Sequence, residues 1–234
     1  MNHLLEVCLV ALTLTTGITP SIAAQSPGAM QKGISVELPL TGNAVPMPDA
    51  DQEDSLIVSV TADGSVYFGA NPISPAALAE KIKGGLSDRS EKKLYIKADA
   101  RTPYANVVNV LDAMRTASVE APNLLTAQQD SSEPGTLVPP KGLEVLVGPA
   151  LPSGSDAIVV QALNSGQQWP TLKINNERVP LATLPATLRR LLQNRSEKVV
   201  LVKADGLLPF AHVVHLIDMC RSTGAEVFLV TPGL

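Results

Sequence analysis

The chain has 234 residues, 45% hydrophobic and 17% charged, with a formal net charge of −4. That length holds one large domain or two of about 100 residues, and the apolar content excludes a disordered tail. The acidic balance and the lack of any Lys/Arg-rich run exclude a phosphate-neutralising nucleic-acid surface, and two distant cysteines, Cys8 and Cys220, build neither a disulfide framework nor a metal site.

From Leu4 to Ala24 the chain reads LLEVCLVALTLTTGITPSIAA, with Glu6 as its one charge. A spanning helix needs about 20 such residues, and Gly17 and Pro20 weaken the last turn. The same stretch fits a cleaved signal peptide, with an apolar Val7–Leu14 and small residues at Ala23 and Ala24, although no Lys or Arg precedes it. Residues 1–24 are therefore either a transmembrane anchor or a signal peptide. Two Pro- and Asp- or Ser-rich stretches, Thr41–Asp54 and Gln129–Lys141, read as loop and linker.

Between them the elements are legible. Ile34–Leu38 reads as a short strand. Ser55–Ala62 is a β-branched strand closed by the hairpin dipeptide Asp63–Gly64, which leads into Ser65–Ala70. Pro75–Leu86 places Leu78, Ile82 and Leu86 at helical spacing, with Ser74 as N-cap and Pro75 at the first helical position. Leu94–Ala98 is a strand. Pro103–Ala117 opens on another first-turn proline and puts Val107, Val110, Leu111 and Met114 on one face, and Asn123–Thr126 is a closing strand.

This order recurs. RSEKKLYIKADARTPYANVVNVLDAMRT (Arg89–Thr116) is matched by RSEKVVLVKADGLLPFAHVVHLIDMCRS (Arg195–Ser222), and Lys97 and Lys203, like Asp112 and Asp218, stand 106 positions apart (203 − 97). Leu78 pairs with Leu184, Leu86 with Leu192 and Ile73 with Val179 at the same offset, and GISVELP (Gly33–Pro39) loosely echoes GLEVLVGPALP (Gly142–Pro152). A repeat of this length predicts a duplicated domain. The expected fold is α+β: two tandem copies of a small β-β-β-α-β-α-β two-layer domain, a sheet with helices on one face, after an N-terminal apolar helix. Residues 33–128 form the first unit, 129–141 the linker and 142–234 the second unit, which ends on the strand Glu226–Val230.

A D-G hairpin, a Leu-rich helix and then KADARTPYANVVNVLDAMR or KADGLLPFAHVVHLIDMCR resemble the periplasmic domain of the ExbD/TolR family of proton-channel accessory proteins. The lead-in Val36–Pro39 (VELP) is similar to the V-x-L-P segment that follows that family's membrane helix. Family members normally carry one copy, so the second is a departure. The resemblance also aligns Leu4–Pro20 with the family's membrane helix, in which an Asp implicated in proton passage precedes a Pro by 14 positions. Glu6 and Pro20 keep that interval (20 − 6), so the resemblance implies that Glu6 is the proton-carrying carboxyl. Glu in place of Asp, a lead of only five residues and four threonines depart from the pattern. Desolvation lifts a buried carboxyl, and an acid inside a membrane segment is a functional candidate.

The resemblance implies an accessory subunit of a proton-motive-force-driven complex of the ExbB-ExbD-TonB or TolQ-TolR-TolA type. Such a subunit is anchored once in the inner membrane, partnered by an ExbB/TolQ-like multispanning protein, and in periplasmic contact with a TonB/TolA-like protein or peptidoglycan. Because a single-copy member works as a dimer, two fused copies imply an internal pseudo-dimer, with a homodimer as the other arrangement. The competing reading is a secreted or periplasmic non-enzymatic binding protein. No nucleophile with a base, P-loop or dinucleotide turn argues for an enzyme, and no cofactor is called for. Among other candidates, His212 and His215 stand three apart on a predicted helix but correspond to Asn106 and Asn109, which reads as a solvated polar face. Asp99 and Asp205 close a strand before a turn, where a carboxylate accepts backbone N–H groups. Asp112/Arg115 and Asp218/Arg221 read as weak surface pairs, and Trp169 as a cover for a sheet face.

Overall fold

The computed structural model describes residues 34–88, 93–128, 140–148 and 157–231; Glu6, Cys8 and residues 1–24 lie outside these, as does all of the linker but Pro140 and Lys141. The described part is α+β, with four helices and two mixed sheets. In chain order the first sheet uses β1 (Leu40–Thr41), β2 (Val45–Pro46), β3 (Leu56–Val60), β4 (Val66–Phe68), β5 (Asn71–Pro72), β6 (Leu94–Ala98), β7 (Asn123–Gln128) and β8 (Lys141–Glu144), with α1 (Pro75–Leu86) before β6 and α2 (Tyr104–Thr116) after it. The second uses β9 (Leu146–Gly148), β10 (Ile158–Leu163), β11 (Thr171–Ile174), β12 (Glu177–Val179), β13 (Val199–Ala204) and β14 (Glu226–Val230), with α3 (Leu184–Leu192) and α4 (Phe210–Arg221) on either side of β13.

The two sheets have the same inner order. β4-β3-β6-β7 in the first corresponds to β11-β10-β13-β14 in the second, with an antiparallel hairpin at one side and parallel strands beyond it. Register agrees as well: Ser59 pairs with Lys97 on β3/β6, and Gln161 with Lys203 on β10/β13. The helices take one face of each sheet. Val58, Ile96 and Leu124 join Leu78, Ile82, Val107, Leu111 and Met114 in a core that continues, without a break, into Val160, Val202, Leu188, Val213, Ile217 and Leu229. Leu78, Ile82, Val107, Val110, Leu111 and Met114 are fully buried, as the 3–4 spacing predicts.

Several expectations need correction. Residues 34–38 form no strand. The N–H of Glu37 is taken by the Asp99 carboxylate (3.2 Å), its carbonyl accepts from Ala100 N–H (2.7 Å), and Pro39 has no N–H to give a ladder, so pairing begins only at β1. Pro103 stands at the N-cap of α2 rather than inside it, with extended φ −55° and ψ 135°. Ser74 occupies the N-cap of α1, but its hydroxyl makes no capping bond. The Asp63–Gly64 turn does form, with Gly64 at φ +87° and the Asp63 carboxylate accepting from Ser65 N–H (3.1 Å) and the Thr61 hydroxyl.

The loop Thr41–Asp54 carries more structure than its composition suggests. A 3-10 turn at Pro48–Asp51 places Met47 and Ala50 over Ile57, Tyr95 and Leu125, so the first sheet is buried on its far face too. The expected second unit opens at Gly142, yet Lys141–Glu144 lies on the first sheet, antiparallel to β7, while the next residues form β9 beside β14. One short stretch of chain thus edges both sheets. Gly142 permits it: a Cβ there would meet the Leu124 carbonyl at 2.5 Å and Met47 Sδ at 2.7 Å.

Candidate functional site

The first N–H groups of a helix have no partner within the helix and need one elsewhere. The N-caps of α2 and α4 are Pro103 and Pro209, which offer no side-chain cap. Each helix is capped by the turn before the other. Tyr104 N–H donates to the Leu208 carbonyl (2.8 Å) and Ala105 N–H to that of Gly206 (3.0 Å); Phe210 N–H donates to the Thr102 carbonyl (2.9 Å) and Ala211 N–H to that of Ala100 (2.9 Å). Moving every residue by 106 positions exchanges the two pairs. Pro103 and Pro209, themselves 106 apart, form an antiparallel bridge between them. Tyr104 and Phe210 are both buried beside it. The capping is therefore reciprocal, and it joins the turn before each helix to the start of the other. Reading the sequence in halves misses it, although the signal is present as the repeated K-A-D-x3-P-(Y/F).

The junction departs from symmetry at one pair of carboxylates. Asp218 on α4 is buried and accepts from Gly42 N–H (2.9 Å), Asn43 N–H (3.0 Å) and Asn43 Nδ2 (3.2 Å), which fastens the turn after β1 onto the second unit. Asp112 on α2 is equally buried, stands 3.6 Å from Arg115 Nη2, and leaves Oδ1 without a hydrogen bond. Arg221 turns away from Asp218 to the Glu144 carbonyl (2.6 Å). Asp112 and Arg115 do pair at i,i+3, but with the carboxylate buried rather than on the surface, whereas Asp218 is taken by Gly42 and Asn43 instead of Arg221.

Asp99 and Asp205 take the expected structural role. Asp99 accepts both Arg101 Nε (2.8 Å) and Nη2 (2.9 Å), together with the N–H groups of Arg101 and Glu37. The Arg101 hydrogen bonds come first in holding its carboxyl down to about 2, and burial opposes them. Asp205 accepts Leu207 N–H (2.9 Å). Lys97 is buried under the 3-10 turn, and that burial lowers its pKa while Asp51 partly offsets it; its counterpart Lys203 is exposed.

Trp169 covers α4 rather than a sheet face. Its indole lies 4.9 Å from the His212 ring and 5.5 Å from that of His215, centroid to centroid, so these imidazoles are half-buried and not on a solvated face. Cys220 is fully buried, and burial pushes its thiol up to about 12, which leaves it an inert core residue. Among the described residues no group of three or more His, Cys, Asp or Glu side chains is placed to hold a metal ion, and no helix is long and apolar enough to cross a membrane.

Residues 18–129 match the family described as "Biopolymer transport protein ExbD/TolR". The chain is 22% identical over 128 residues to a protein of Pseudomonas aeruginosa named "Biopolymer transport protein ExbD", covering 55% of this chain and 88% of that one. It is 24% identical over 108 residues to the "Tol-Pal system protein TolR" of the same organism, covering 42% of this chain and 73% of that one. The matched stretch contains all of β1 to β7 and both helices of the first unit, and begins after Glu6.

Proposed function

We propose that this chain, whose residues 18–129 are ExbD/TolR-family sequence, is a non-enzymatic accessory subunit of a proton-motive-force-driven, energy-transducing complex. In this reading residues 1–24 anchor it once in the inner membrane beside an ExbB/TolQ-like multispanning partner. Glu6 is the carboxyl that loads and releases protons. Both units lie in the periplasm and meet a TonB/TolA-like protein or peptidoglycan. The second unit is a second copy of the first, and the pair acts as one internal pseudo-dimer.

The observation that carries the pseudo-dimer is the reciprocal capping of α2 and α4. Four hydrogen bonds exchange under a shift of 106 residues, and a single unit would leave two N–H groups of its second helix without those acceptors. The family match over the first unit supports the role in energy transduction.

Two measurements test the reading. The mass of the mature protein from the membrane fraction should include Met1 or Asn2; a start near Gln25 would place the chain instead among secreted or periplasmic binding proteins. Replacing Glu6 with Gln should abolish coupling to the proton gradient, while coupling at the unaltered level would remove Glu6 from the proton path.

A further inference from the structure

The hairpin tip of each unit leans on the first turns of its second helix. In the first unit Gly64 of the β3–β4 turn sits directly against the Asn106 side chain, and Asn106 Nδ2 donates to Thr102 Oγ1 (3.2 Å). In the second unit the same contact is made by Trp169 of the β10–β11 loop against His212 and His215. The residue equivalent to Thr102 is Leu208, which has no hydroxyl, and His212 Nδ1 is buried without a hydrogen-bond partner. An imidazole packed against an indole with one ring nitrogen buried and unbonded suits the neutral form. Adding a proton there creates a buried donor with no acceptor, next to a second imidazole.

We propose that Trp169, His212 and His215 form an acid-released clasp, which holds the 164–170 loop against α4 while the His212 imidazole is neutral and lets it go when His212 is protonated. Burial, and then His215, keep the His212 imidazole below its ordinary value of 6.5. Because the folded state resists the proton, the clasp's contribution is complete above that value and is lost as pH falls through the window beneath it. Residues 164–170 carry no ionisable side chain. The elements around α4 bring Asp112 and Arg115 on α2, Arg189 and Arg190 on α3, Lys203 on β13, Asp205 in the turn that follows it, and Glu226 on β14. Asp218 and Arg221 on α4 itself are engaged with Gly42, Asn43 and Glu144. None of these groups is among the causes acting on His212. Release would loosen the loop beside Phe210 and Ala211, the residues that bond α4 to the first unit.

Trp169 is the chain's one tryptophan, so tryptophan emission of the full-length protein, excited beyond the tyrosine band, comes from the clasp. Between about pH 8 and pH 5 its emission should shift to the red and become more accessible to acrylamide, with a midpoint below 6.5. His212→Asn, which installs the residue found at the equivalent position 106, should abolish the transition. His215→Asn should keep it and move the midpoint up. Emission that does not change over this range would overturn the proposal. So would quenching with an unshifted spectrum, which means the imidazolium stays stacked on the indole, or a transition that survives in His212→Asn.

Discussion

Asp112 and Asp218 are equivalent by sequence and equally buried, yet their surroundings predict opposite responses to the same isosteric change. Asp218→Asn removes the charge and replaces one carboxylate oxygen by NH2, which then meets Asn43 N–H (3.0 Å) if it replaces Oδ1, or Gly42 N–H (2.9 Å) and Asn43 Nδ2 (3.2 Å) if it replaces Oδ2. Hydrogen bonds to a charged group net about 1.5–3 kcal/mol each, but Gly42 and Asn43 are exposed and regain water when released. The expected loss is therefore about 2–3 kcal/mol, the worth of one such bond rather than three. At about 2–4 °C per kcal/mol for a chain of this size, thermal unfolding should fall by roughly 5–10 °C. Asp112→Asn relieves a buried carboxylate whose Oδ1 has no hydrogen bond and gives up only the 3.6 Å approach of Arg115. Its effect should stay within about 1 kcal/mol in either direction. Urea midpoints and melting curves of the two full-length variants, run side by side, decide the matter. Equal losses, or a larger loss for Asp112→Asn, would refute the asymmetry of the junction.

Acid sensitivity should trace to Asp99. Its folded carboxyl titrates near 2 against an ordinary 3.8, so its stabilising contribution is complete above 3.8 and disappears as pH falls toward 2; urea midpoints measured across that range should fall more steeply for the unmodified protein than for Asp99→Asn. Gly64→Ala puts a side chain at φ +87° and drives its Cβ into the Asn106 amide. A cost of about 1–3 kcal/mol is expected, and adding Asn106→Ala should recover the part due to collision but not the part due to φ, as a double-mutant cycle would read.

Local chemistry was legible where one element decides its own conformation. Pro75–Leu86 and Leu94–Ala98 have the bounds that spacing and β-branching indicate, and the Asp63–Gly64 turn needs only a residue that tolerates positive φ. The misses depend on partners distant in sequence. Residues 34–38 read as a short strand, but Asp99, 62 positions on from Glu37, captures the N–H a ladder would need. Pro48–Asp51 reads as a loop because its helical turn is short, and it is ordered by Ile57, Tyr95 and Leu125 from three strands. Trp169 gives no sign in sequence that its contact is with two histidines more than 40 residues downstream. The junction itself joins backbone groups, and its one mark in sequence is the repeated K-A-D-x3-P-(Y/F).

The stretch from Lys141 to Gly148 belongs to both sheets, and this limits how the molecule can be divided. A chain ending at residue 129, where the family match stops, keeps β7 but loses β8, so those backbone groups of Asn123 to Thr126 that bond β8 would face solvent along an open edge. Such an edge invites a strand from elsewhere. An excised first unit should therefore acquire neighbours that the intact chain has no need of, and cutting between the units would create stickiness rather than independence.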